Sequence, residues 1–242
     1  MTIKIELPVE ILSYIYSGVS SKLMGLDELV ININDGRVSC KHKNEESSGM
    51  IMFESIEFEY LKGTNVELTM FAKDLKSMVS LVKKDKVALE IDDGLIVFKA
   101  GKITKNFPRP AHVEVPSKTP SFATSVHVEM KDENIEAVVK SFADIKEGDI
   151  KVTAESEIIQ FAAEGDVRST NISFDPADVI SYKNTEDVTS GFDKELLISV
   201  FNSRPSNGKY TIEMGDGTPL KFTQTNTSIG TMIVFVAPKI SD

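Results

Sequence analysis

Cysteine is nearly absent from this sequence: Cys40 stands alone among 242 residues. An internal disulfide is excluded, and a lone thiol fits a reducing compartment. No apolar run approaches the roughly 18 residues needed to span a bilayer. Met1 to Leu7 alternates charged with apolar side chains, unlike a secretory signal, so an intracellular protein is expected. Basic charge is also short, with 27 lysines and arginines against 37 aspartates and glutamates and a formal charge of −10. That sign argues against a simple nucleic-acid binder, whose domains are usually basic. The placement of the lysines therefore matters more than their sum.

The equipment of an enzyme is missing too. His42, His112 and His127 sit at no metal-ligand spacing, and with one cysteine a zinc site would have to be gathered from distant residues. No GxxxxGK[ST] or GxGxxG loop occurs, and Cys40 lies in a strand pattern without an obvious base. Asp92, Asp93, Glu213 and Asp216 fall in turns, where carboxylates are usually solvated. No catalytic residue, metal or cofactor is expected, and the pattern reads as a binding and tethering protein rather than an enzyme.

What is present is ordered and repeated. The length suits one large domain or two of about 120 residues. A short strand, Ile3 to Leu7, precedes a helix expected from Pro8 to about Leu23. Pro8 suits a first helical turn, and Ile11, Leu12, Ile15, Tyr16, Val19 and Leu23 recur on one face. Strands follow at 28–34, 38–43 and 50–53, with Asp35-Gly36 as a hairpin turn. A strand at 65–70 enters a second helix, Ala72 to Lys84, and strands at 87–91 and 95–99 flank Asp92-Asp93-Gly94. Pro108, Pro110, Pro116 and Pro120 then make Phe107 to Pro120 an extended connector.

After the connector the order restarts. Val126, Val128 and Met130 repeat Ile3, Ile5 and Leu7 at a constant spacing, which also brings Ile135 and Val138 onto Leu12 and Ile15. Phe192, Lys194, Leu196 and Val200 repeat Phe71, Lys73, Leu75 and Val79. A repeat this long is a domain rather than a solenoid unit. The expected division is 1–107, a connector at 108–122, and 123–242. In the second helix, Lys73, Lys76, Lys83 and Lys84 gather on one face at about 100° per residue, opposite Leu75, Met78, Val79 and Val82. The C-terminal stretch from Pro219 to Ile240 reads as a buried hairpin that stops at Ala237-Pro238, because proline cannot donate to a ladder.

This stretch also carries a resemblance. Pro219-Leu220, Gly230 and Phe235-x-Ala237-Pro238-Lys239-Ile240 resemble the end of the sliding clamps of the proliferating cell nuclear antigen (PCNA) family, in their archaeal and eukaryotic form. Phe161-Ala162-Ala163-Glu164-Gly165-Asp166 and the run from Leu68 to Lys76 are similar to family segments as well. With the duplication the likeness spans nearly the whole chain, most weakly near its start and in the connector.

The resemblance implies an α+β fold of two tandem clamp-type domains, with helices lining a ring and antiparallel sheets outside. It implies a sliding clamp and polymerase processivity factor that encircles double-stranded DNA regardless of sequence and recruits replication and repair proteins. DNA-facing positions would be Lys73, Lys76, Lys83, Lys84, Lys140, Lys194 and Arg204. Edges at Lys102 to Phe107 and Arg168 to Phe174 would join subunits into a ring trimer through Ile103, Lys105, Phe107, Thr170, Ile172 and Phe174. A partner-peptide pocket would lie between connector and tail, at Val113, Val115, Pro219, Leu220, Phe235, Ala237 and Pro238. The implied partners are DNA polymerase, clamp loader, flap nuclease and ligase, without a membrane; the place would be the cytoplasm of an archaeon, at the nucleoid, or a eukaryotic nucleus. Ser13, Ser17, Ser20 and Ser21, and Glu136 and Asp144 beside Lys140, predict an inner wall less positive than usual in the family. One subunit of a heterotrimeric clamp, a specialised paralogue, and a two-domain α+β enzyme with a cleft under the connector stay open as alternatives.

Overall fold

The computed structural model describes residues 2–19, 27–44, 46, 48–82, 86–111, 113–145, 148–164, 169–204 and 208–239. Leu23, Lys83, Lys84, His112, Ser20, Ser21, Gly165, Asp166, Arg168 and Ile240 lie outside the described residues.

The first half runs β1 (Ile3–Pro8), α1 (Val9–Val19), β2 (Glu28–Asn34), β3 (Arg37–Lys43), β4 (Gly49–Ser55), a 3-10 turn at Glu59–Leu61, β5 (Asn65–Phe71), α2 (Ala72–Leu81), β6 (Lys86–Ile91), β7 (Leu95–Ala100) and β8 (Ile103–Pro108). The second runs β9 (Val126–Met130), α3 (Asp132–Ser141), β10 (Asp149–Glu155), β11 (Ile158–Glu164), β12 (Ser169–Phe174), β13 (Ser181–Asn184), β14 (Val188–Asp193), α4 (Lys194–Asn202), β15 (Lys209–Met214), β16 (Leu220–Asn226) and β17 (Gly230–Val236). The expected α+β class is what the chain adopts.

Two helix limits differ from the sequence reading. Pro8 closes β1, opposite Lys86, instead of opening the helix; β1 is an edge strand, where a missing N–H costs no ladder bond. Val82 has already left the helical region at φ −136°, ψ 124°, which ends α2 before Lys83. Helix α1 is also buried on more than one stripe, with Tyr14 inside and Tyr16 only half-buried. Its crowding has a cause: a Cβ on Gly18 would stand 2.1 Å from Ile51 Cδ1 and 2.7 Å from Met232 Sδ.

The described strands form three antiparallel sheets, ordered β1-β6-β7-β8, β12-β11-β10-β14 and β13-β9-β15-β16-β17-β4-β3-β2-β5. The nine-stranded sheet crosses from one half to the other at β17 and β4, in register from Gly230 opposite Ser55 to Val236 opposite Gly49. Each half pairs its two helices, α1 with α2 and α3 with α4. Both pairs cover the face that bears Met232 and Val234: Gly18 of α1 approaches Met232, and the Phe201 ring of α4 lies tilted at 4.9 Å from that of Phe222, which is opposite Val234. One apolar core runs through both halves.

Candidate functional site

On the helix layer, Lys73 and Lys76 are exposed on α2, with the Lys73 ammonium 5.1 Å from the Phe71 ring centre. Between them Asp74 is half-buried, and burial pushes its carboxyl above the usual range against the opposing pull of Lys73. Lys140 is exposed on α3 but paired with Glu136 one turn earlier. Lys194 is half-buried in the first turn of α4, where Asp193 accepts the Leu196 N–H at 2.9 Å as the cap. Arg204 is a different case. Its guanidinium donates to Asp132 Oδ1 at 2.6 Å and to the Phe201 carbonyl at 2.9 Å, and its side chain is 12% exposed. It ties the end of α4 to the start of α3 and is not a free cation. Glu133 and Glu136 on α3 and Glu195 on α4 are exposed on the same helices, so carboxylates offset the lysines there.

The outer edges of β8 and β12 pair with no described strand. On each, a terminal phenylalanine turns into the core: Phe107 meets Phe98 edge-on at 6.4 Å, and Phe174 meets Phe161 at the same distance. Both are 6% exposed. Ile103, Thr170 and Ile172 are half-buried, and Lys105 is exposed. The phenylalanines of the expected interface therefore support their strands from within, and the isoleucines and the backbone edge are what a neighbour can reach.

These two edges repeat the strands that meet inside the chain. β8 follows β7 as β17 follows β16, and β12 lies beside β11 as β4 lies beside β3. Superposing the buried Phe98 on Phe222 brings Ile103 onto Met232, and superposing Phe161 on Cys40 brings Ile172 onto Phe53. Met232 faces Phe53 across the internal joint.

On the other face of the nine-stranded sheet, Phe235 lies opposite Met50. Both are 6% exposed yet stand outside the main core. Phe122, from the connector, covers Phe235 edge-on at 6.0 Å. The connector is tied down at its start by Arg109, which donates to the Glu67 carbonyl at 2.8 Å, the Asp92 carbonyl at 3.0 Å and Thr69 Oγ1 at 3.1 Å. The tail is held by Ala237 N–H to the Ser48 carbonyl and Lys239 N–H to the Gly191 carbonyl, each 2.8 Å. The Lys239 ammonium pairs with Asp149 and Asp193. Val113, Pro219, Ala237 and Pro238 are half-buried and Val115 is exposed, whereas Leu220 is wholly buried opposite Val236 and belongs to the core.

Residues 118–239, just over half of the chain, match the family described as proliferating cell nuclear antigen, C-terminal domain. The chain belongs to the PCNA family. Solved PCNA structures share its fold along its whole length. A. fulgidus PCNA bound to the C-terminal region of FEN-1 matches with a TM-score of 0.85 at 15% identity, covering 100% of both chains. PCNA from Entamoeba histolytica matches at 0.79 and 14%, over 99% of this chain and 98% of that one. The PCNA2-PCNA3 complex from Sulfolobus tokodaii matches at 0.78 and 16%, over 99% of each. No curated protein sequence matches the chain.

Within this PCNA-family fold, the residues collected for three roles separate cleanly. The lysines of α2, α3 and α4 sit on the helix layer, the two free edges close separate sheets, and the tail lies with the connector on the face away from the helices. Sequence reading missed Phe122, whose ring fills the space over Phe235, and Ser48, which receives the tail. An aromatic inside a proline-rich run gives no periodic signal, and the Ser48 contact is long-range. Among the described residues no group of three or more His, Cys, Asp or Glu could hold a metal ion, and no helix is long and apolar enough to cross a membrane.

Proposed function

We propose that the chain is a DNA sliding clamp and processivity factor: three copies close head to tail into a ring around duplex DNA, and the connector and tail receive partner peptides. The observation that carries this reading is the internal joint. β17 and β4 pair antiparallel along seven residues, and the strands that repeat them, β8 and β12, are left open at separate sheet edges. Two unlike edges that fit each other form a heterologous contact, which closes when the rotation per subunit divides the circle. A clamp of three two-domain subunits satisfies that condition.

The ring would present the helix layer to DNA. Lys73 and Lys76 are the best placed cations, and contacts to phosphates are blind to sequence. Topology, not affinity, would retain the duplex, so a helix surface with mixed charge is sufficient. On the opposite layer, a peptide would insert apolar anchors beside Phe235, Met50 and the connector. The A. fulgidus relative binds a FEN-1 C-terminal region, which favours a flap nuclease among the partners here, alongside polymerase, loader and ligase.

Threading tests the ring without a loader. Duplex DNA fixed at one end to a bead is incubated with the protein, the free end is then blocked or left open, and the bead is washed in high salt. A ring is retained only on blocked DNA. Equal loss from blocked and open DNA would remove encirclement from the account.

A further inference from the structure

The joint inside the chain is roofed by α1. Gly18 stands against Ile51 of β4 and Met232 of β17, and the Tyr14 ring lies 5.5 Å from that of Phe53. With Val234, which is opposite Ile51, these side chains form a buried apolar layer. The repeat carries the same arrangement to the two free edges. The spacing that brings Ile135 onto Leu12 also brings Ala137 onto Tyr14 and Ser141 onto Gly18, and α3 packs on β12 as α1 packs on β4. The superposition that sets Ile103 on Met232 sets Lys105 on Val234, and the one that sets Ile172 on Phe53 sets Thr170 on Ile51.

The layer at the free edges is therefore smaller and more polar. Alanine, threonine and lysine stand where the internal joint has tyrosine, isoleucine and valine, and one of them is a cation. Lys105 lies directly opposite the buried Phe98, so it stands on the core face of β8. In the single chain it is exposed and takes part in no ion pair among the described residues. A strand added beyond β8, with its helix above, would cover this side chain. A charge taken out of water needs a partner, because an unpaired one is costly.

The repeat also says what would meet it. Val234 faces Ile51, the residue that Gly18 overlies, so Lys105 would face Thr170 of the next copy beneath Ser141, the last residue of its α3. That is the negative end of the helix dipole. Next on the stripe that holds Ala137 and Ser141 comes Asp144, exposed in the turn after α3. Glu136 lies off this stripe and is bound to Lys140. Asp144 has a contact within its own chain, but a carboxylate offers about four acceptor positions, which leaves room for a second.

We propose that Lys105 of one copy latches onto the C-terminal end of α3 of the next and pairs with its Asp144. A charged contact then stands in the subunit joint at the place where an apolar layer closes the joint inside the chain. The inference rests on the head-to-tail ring proposed above, and it names a contact that helps to close it.

Light scattering of the whole chain over a dilution series tests the latch. Lys105→Glu and Asp144→Lys should each move dissociation to a concentration about tenfold higher or more. The two together should recover a large part of that loss, because the pair is restored with its signs exchanged. Lys151→Glu, at an exposed lysine of β10, changes the net charge equally and should dissociate as wild type. The gap between Lys105→Glu and wild type should narrow as salt rises. If wild type assembles and Lys105→Glu dissociates no sooner, or if the double variant does no better than either single one, the latch is overturned and the ring stands. A wild type that stays monomeric at every concentration removes ring and latch together. Should circular dichroism show that a charge reversal misfolds, Lys105→Gln and Asp144→Asn take its place: losses that fail to add support the pair, and losses that add overturn it.

Discussion

Gly230 is where the two halves of the chain are most tightly constrained. Its φ of +148° lies where side chains are strained, and a Cβ there would stand 2.2 Å from the Glu54 carbonyl oxygen and 2.6 Å from Ser55 Cα. Both obstacles are backbone and neither can swing aside. Gly230→Ala is therefore expected to cost roughly 2–4 kcal/mol, because strain and a lost ladder contact add, and thermal unfolding should show a fall of about 5–15 °C for a chain of this size. An unchanged midpoint would mean that β17 and β4 can part locally without loss.

His42 supplies a second residue-scale expectation. It is 2% exposed in β3, and its Nε2 accepts the Val30 N–H at 2.8 Å. Burial lowers its pKa below the ordinary 6.5, outweighing the opposite effect of the Val30 backbone. Above that value both folded and unfolded chains hold it neutral, and stability does not depend on it. Below it, the unfolded chain binds a proton that the folded chain refuses, so stability falls as the pH drops, by at most about 1.4 kcal/mol per pH unit. His42→Gln keeps an acceptor for Val30 and removes the titration. Urea midpoints measured at about pH 7 and 5.5 should fall further for wild type than for this variant; equal falls would assign the loss to another group. Arg204 shows the limit of reading such residues from the sequence: its charge and helix-end position were visible, but its partner Asp132 lies far away in the chain.

At the scale of elements, local signals were legible and long-range ones were not. The Asp35-Gly36 hairpin was written in two residues, and both adopt the positive φ that such a turn requires, 43° and 91°. The family resemblance placed the edge strands and alternation agreed with them, but period two does not say which face is core, and so Phe107, Phe174 and Leu220 were assigned to surfaces that they underlie. Nor could it show that Ser181–Asn184 pairs while Glu59–Leu61 coils, since neither run alternates. The duplication was legible, and it transfers a register. With Ile103 in the place of Met232 and Ile172 in that of Phe53, Ile103 of one subunit should face Ile172 of the next. Opposed residues in an antiparallel pair have Cα atoms about 4.5–5.5 Å apart, within disulfide range. Ile103→Cys with Ile172→Cys should give crosslinked dimers and trimers under mild oxidant. Cys40 will not compete, because it is fully buried and burial pushes its thiol up to about 12. Pairing Ile103→Cys with Ser169→Cys, out of register, should crosslink far less; equal yields would mean the joint slides or lies elsewhere.

For the whole molecule, the balance of charge decides how DNA would be held. The chain carries −10 overall, and its helix layer offers exposed Lys73 and Lys76, for which no salt bridge forms among the described residues although Asp74 lies beside Lys73, while Lys140 is matched by Glu136 and Arg204 by Asp132. An exterior of this sign repels duplex from every surface except one that gathers cations. Each phosphate neutralised contributes about −0.9 to the slope of log K against log salt, so a wall with few unmatched lysines predicts a shallow slope and weak equilibrium binding. Lys73→Glu with Lys76→Glu should then make the slope shallower still and cut retention on end-blocked duplex at physiological salt, to a similar degree on any sequence. The oligomer mass of the variant should not change, because both lysines are exposed on α2 and neither belongs to β8 or β12. Retention equal to wild type would show that DNA does not pass along α2, whereas a loss that depends on base sequence would show that the helix layer reads bases, which a sliding clamp must not do.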